Sequence, residues 1–113
     1  MQLASFLNDL EFSDEHVVIN SLLESEFGKE IRIAFKEGQM MKEHKTKYPI
    51  TVMTVIGSIE FMVGEKIVTL DRGDVISLDA NILHELKATE KSVVRLSLHK
   101  GDTVARVKGI LKL

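Results

Sequence analysis

Hydrophobic and polar residues alternate in short runs along most of this chain. Ile31, Ile33 and Phe35 alternate with Arg32, Ala34 and Lys36, the pattern of a strand with one buried face. Residues 17–23, 50–56, 59–63, 67–70, 75–78, 84–88 and 93–98 form further runs rich in β-branched and apolar residues. Turn residues separate them: Gly57-Ser58, Gly64-Glu65-Lys66 and Asp71-Arg72-Gly73-Asp74. Turns recurring at intervals of roughly 8–12 residues predict an all-β sandwich or barrel. The single proline, Pro49, precedes a run and interrupts none, as sheet hydrogen bonding requires. Ahead of the strands, Leu3, Phe6, Leu7 and Leu10 fall at i, i+3, i+4 and i+7, which predicts a short amphipathic N-terminal helix lying over an open end of the core. Ser13, Asp14 and Glu15 end that pattern as a polar turn. Beyond Gly101 both readings stay open: Val104, Val107 and Leu111 suit a helix, whereas the alternation through Ile110 is poor for a strand.

Composition narrows the class. With 113 residues, 44% of them hydrophobic, the chain is expected to form one domain over residues 1–113 around one core. Charged residues make up 28% and both signs are spread along the sequence, which argues against disorder. The formal net charge of −2 leaves no basic face for nucleic acid. The one basic stretch, residues 42–47, is broken by Glu43, and Arg106, Lys108 and Lys112 read as a solvated tail. There is no cysteine, so disulfides, thiolate metal sites and cysteine nucleophiles are excluded. The N-terminal residues lack a basic leader region, and no apolar run approaches the ~20 residues needed to cross a bilayer. A soluble cytoplasmic protein without membrane partners is the expectation.

Strand phase sorts the four histidines, because alternate side chains face opposite sides of a sheet. His16 lies in the polar turn, and His99 falls on the outer phase at a strand end. His84 shares its phase with Leu86 and Ala88, so it points inward. If residues 40–47 are extended, His44 and Thr46 share the phase of Met40 and also point inward, leaving Met41, Glu43, Lys45 and Lys47 outside. Two imidazoles from distant parts of the chain then meet inside the barrel. The plainer alternative for each is a buried histidine hydrogen-bonded to backbone.

At these residues the sequence resembles a small cupin of the conserved-barrel type. Gly38, five intervening residues and His44 match the opening of that family's first motif, and Gly57 matches its closing glycine. Thr46 stands where the motif has its second histidine, and Ile50 stands where it has glutamate. In the second motif Gly73 and His84 match, while Asp79, Asn81 and Ala88 replace its proline, glycine and asparagine. Asn81 is the least disruptive of these changes, since asparagine tolerates a left-handed backbone better than other side chains.

The resemblance implies a double-stranded β-helix, or jelly-roll barrel, commonly homodimeric, that often holds a divalent metal on three histidines and a glutamate. The corresponding positions here are His44, Thr46, Ile50 and His84, and only the two histidines are good donors. The leading expectation is therefore a small-molecule-binding or regulatory protein that takes its ligand in the barrel lumen, with no cofactor or a weakly bound divalent metal. Zinc, iron, manganese, nickel and copper are not distinguished. The lumen would be lined by Ile50, Met53, Val55 or Ile76 and anchored by His44, Thr46 and His84. The alternative is a metalloenzyme of dioxygenase or isomerase type with His44 and His84 as ligands, and a third is metal-free acid/base chemistry on His84. The sequence assigns no catalytic residue.

Overall fold

A computed structural model describes residues 1–112. Nine strands follow one another: β1 (Val18–Glu24), β2 (Gly28–Phe35), β3 (Met40–His44), β4 (Ile50–Ile56), β5 (Ser58–Val63), β6 (Lys66–Asp71), β7 (Val75–Leu78), β8 (His84–Ala88) and β9 (Ser92–His99). A helix, α1 (Val104–Gly109), and a 3₁₀ turn (Ile110–Lys112) close the described chain. The strands form two antiparallel sheets with orders β1-β2-β9-β4-β7 and β3-β8-β5-β6. Consecutive strands repeatedly change sheet, which is the winding of a double-stranded β-helix.

Each sheet turns one apolar face to a shared core. On β4 the inward phase is Ile50, Val52 and Thr54, all buried, while Thr51, Met53 and Val55 take the other face. On β5 and β8 the inward residues are Ile59 and Phe61, and His84, Leu86 and Ala88. Thr54 is the one polar residue on the inward face of β4, and its hydroxyl donates to the Leu70 carbonyl at 3.0 Å, so no buried donor is wasted.

Gly57 makes the passage from β4 to β5 possible. Its φ is +90°, and a Cβ there would sit 2.1 Å from Ser92 Oγ and 2.6 Å from the Lys91 carbonyl oxygen. Only glycine fits both the left-handed backbone and this close approach. Asn81 takes the left-handed conformation (φ 66°) expected of its position before β8.

The helix predicted over Leu3–Leu10 does not form; residues 6–9 are bends and turns. Ser5 Oγ accepts from the backbone N–H of Leu7 and Asn8, both at 3.2 Å, which offers these donors a turn in place of a helix. Arg32, on the outer face of β2, then takes the carbonyls a helix would use internally. Its Nη1 donates to Ser5 and Asn8, and its Nη2 to Asp9. The segment lies on β2 through these bonds. The helix that does close the barrel is α1 at the other end of the chain, with its Val107 and Ile110 of the following 3₁₀ turn in the core. Thr103 caps it: its side chain accepts from the Arg106 N–H. Among the described residues no helix is long and apolar enough to cross a membrane.

Candidate functional site

The site begins with a β-bulge. On β3, Met41 pairs with Leu86 and His44 pairs with His84, so three steps on β3 match two on β8. The extra residue brings Met41 and His44 to the same inward side. Met41, which simple alternation puts outside, is buried. The bulge sets His44 directly across from His84, and their ring centroids lie 4.2 Å apart at 63°, edge to face. Phe61, from β5, stacks on the His84 ring at 5.6 Å with the planes 8° from parallel.

Both rings are fastened in the same way. His44 Nδ1 bonds to the Lys42 carbonyl at 2.7 Å, and His84 Nδ1 bonds to the Ile82 carbonyl at 2.8 Å. A carbonyl accepts only, so each Nδ1 carries the hydrogen and each neutral ring keeps its lone pair on Nε2. Neither Nε2 has a hydrogen-bond partner among the described residues. Burial favours the neutral form of both rings. Burial pushes His44 down from 6.5 to about 4, aided by the charges of His84 and Arg106 and opposed by the bond to Lys42. Burial also lowers His84, with Arg106 adding to the effect and the Ile82 carbonyl opposing it.

Around the imidazoles lies an apolar lumen walled by Ile33, Met41, Ile50, Val52, Leu86 and Leu96, with Val107 and Ile110 of the C-terminal segment. The cavity is small, about 20 Å³, room for about one water. Ile50 thus lines the same cavity as His44 and His84. Thr46 and Met53 do not. Thr46 is buried, but its hydroxyl turns to Asp102 Oδ2 at 3.4 Å. Met53 and Val55 lie on the face of β4 opposite Ile50 and Val52, and Ile76 packs against the core edge.

Arg106 is the residue that a reading of the tail as solvated misses. It lines the lumen beside both imidazoles. Its Nε and Nη2 donate to the two oxygens of Asp102 at 2.6 and 2.7 Å, a bidentate fork. Asp102 is 2% exposed and also accepts from the Thr103 N–H at 2.8 Å. The sequence carries a signal for this pair: Thr103 as a helix cap, with Asp102 and Arg106 four residues apart across it. Burial alone would raise the Asp102 pKa, but the bonds from Arg106, Thr103 and Thr46 outweigh it and the carboxyl is held low. Its stabilising contribution is therefore present above the ordinary carboxylate range and is lost as pH falls through the lowered value. Asp102→Asn keeps the shape and removes the charge, and is expected to lower stability by about 1–2 kcal/mol. Urea unfolding of the two proteins at neutral pH measures it, and the difference is expected to vanish in strong acid.

The donor set does not suit the divalent metal that the fold often carries. Two imidazoles face the lumen, but the carboxylate position is Ile50 and the remaining histidine position is Thr46, which is turned to Asp102. Among the described residues no three histidine, aspartate or glutamate side chains group as ligands. The nearest charge is the Arg106 cation, which opposes a metal ion on the same imidazoles.

Similar folds are known. An RmlC-like cupin protein from Desulfovibrio desulfuricans matches with a TM-score of 0.80 at 23% identity, over 88% of this chain and 97% of its own. A protein with a double-stranded β-helix domain from Klebsiella pneumoniae matches with a TM-score of 0.80 at 15% identity, over 90% and 92%. KdgF from Halomonas matches with a TM-score of 0.73 at 14% identity, over 88% and 91%. No protein-family profile matches the sequence, and no curated protein matches it. The likeness is one of fold, and the fold is that of a small cupin.

Proposed function

We propose that this cupin-fold chain binds a small molecule in its barrel lumen without metal, through a hydrogen-bond donor placed on His44 and His84. One observation carries the reading. Both imidazoles are fixed with Nδ1–H on a backbone carbonyl, which leaves two neighbouring Nε2 lone pairs without partners at an apolar cavity. Such a pair accepts from a hydroxyl or N–H group, and the apolar wall takes the body of the ligand. Because the cavity holds about one water, binding requires lining side chains to part.

Two uncharged probes that differ by one hydroxyl test this. Methyl lactate, which has a hydroxyl, is expected to shift the ring nitrogens of His44 and His84 at lower concentration than methyl propionate, which has no hydrogen-bond donor, as read by long-range proton–nitrogen NMR. Zinc, nickel, manganese, copper and ferrous ions are expected to leave the melting temperature unchanged, since a ligand specific to the folded state must raise it. Tight binding of one of these metals that stabilises the fold and is lost in His44→Ala and His84→Ala would overturn the metal-free reading. Equal shifts from the two esters would overturn the assigned role of the imidazole pair.

A further inference from the structure

The lumen has a second polar group. Arg106 reaches it from α1, while the imidazoles reach it from β3 and β8. Its Nε and Nη2 are taken by Asp102, but Nη1 has no hydrogen-bond partner among the described residues. The side chain is 27% exposed, so the guanidinium stands at the mouth, neither sealed in the core nor free in solvent. Among the described residues no aspartate or glutamate lines the cavity to take up Nη1. The same cavity thus carries lone-pair acceptors on the histidines and cationic donors on the helix residue.

That polarity selects a ligand class. A carboxylate is repelled by the two Nε2 lone pairs and drawn to guanidinium N–H groups, whose planar array suits its two oxygens. A hydroxyl donor belongs on the imidazoles. The rest of the wall is apolar, so the body of the ligand carries little further polarity. We propose that Arg106 anchors the carboxylate of a small hydroxy acid whose hydroxyl donates to the His44 and His84 pair. Asp102, bidentate on the same guanidinium, fixes its orientation and shows that this side chain takes a carboxylate in place. The Thr46 hydroxyl steadies Asp102 in turn, so the position where the cupin motif has a second histidine here supports the cation at the mouth. The inference rests on the reading of the lumen as a binding site and adds the charge of its ligand.

Lactate, lactamide and propionate divide the two claims in titrations of the full chain followed at the ring nitrogens of His44 and His84. The wild-type protein is expected to bind lactate at least about tenfold more tightly than lactamide, the usual gain of a charge-assisted hydrogen bond. Arg106→Gln is expected to remove that preference, and Arg106→Lys, which keeps the charge but not the fork, to keep part of it. Melting curves show whether each variant is folded, and the wild-type ratio decides even where a variant is not. Equal binding of lactate and lactamide by the wild type would overturn the role of Arg106 while leaving the lumen site standing. The same holds for a preference that survives in folded Arg106→Gln. If no probe moves either ring, the lumen site and the carboxylate anchor fall together.

Discussion

Phe61→Ala is expected to cost about 4 kcal/mol of folding stability, the largest single effect foreseen here. Phe61 is fully buried among the inward residues of β5 and is one of the two largest fully buried side chains. Its loss removes the apolar transfer energy of a whole ring and leaves a cavity against His84. Small domains have only about 5–15 kcal/mol in total, so the melting temperature should fall by on the order of 15 °C. Phe61→Leu keeps most of the volume and should cost only about 1 kcal/mol. The alanine variant should also loosen the His84 ring, which then lacks its stacked neighbour, so its resonances broaden. Equal losses from alanine and leucine would show that the ring is not the element that fills this space.

Acidification from about pH 6.5 to about pH 4 is expected to lower the folding stability of the protein. The His44 pKa is lowered on folding from 6.5 to about 4, mainly by burial, and His84 is lowered in the same sense. Between those values the unfolded chain binds a proton that the folded chain refuses. Stability is therefore complete above about pH 6.5, falls as pH drops toward 4, and is flat below that for His44. The His44 contribution amounts to roughly 2–3 kcal/mol after allowance for its partial exposure, and His84 adds to it. Urea midpoints measured from about pH 7 to about pH 4.5 should show this slope, and His44→Leu should flatten it. The Asp102 contribution is lost only at lower pH, as its own lowered pKa is passed, so the two effects separate along the pH axis. A wild-type midpoint that is constant down to about pH 4.5 would contradict the burial of the pair.

Much of the fold was legible because most strands bury one face, and period-two alternation survives in such strands. The glycines marked the turns, and the phase of β8 put His84 inside beside Leu86 and Ala88. The site was harder to read. Alternation along residues 40–47 places His44 inward and Met41 outward, yet the bulge brings both inside, and a bulge leaves no trace in a hydrophobic pattern. On β4 both faces are apolar, so nothing in the sequence chose Ile50 and Val52 over Met53 and Val55 for the lumen. The N-terminal pattern had helical spacing, but Arg32 claims the carbonyls of Ser5, Asn8 and Asp9, a tertiary contact that local propensity does not contain. Arg106 looked like a tail charge because its partner Asp102 is buried only once α1 docks. In each case a contact between distant parts of the chain overrode a correct local rule.

The whole account rests on two imidazoles that share one protonation state and one tautomer. Long-range proton–nitrogen correlation spectra of the nitrogen-labelled protein near neutral pH read this directly at each ring. The expected result is that His44 and His84 are both neutral, with hydrogen on Nδ1 and a bare Nε2. A charged ring, or hydrogen on Nε2 of either histidine, would contradict it.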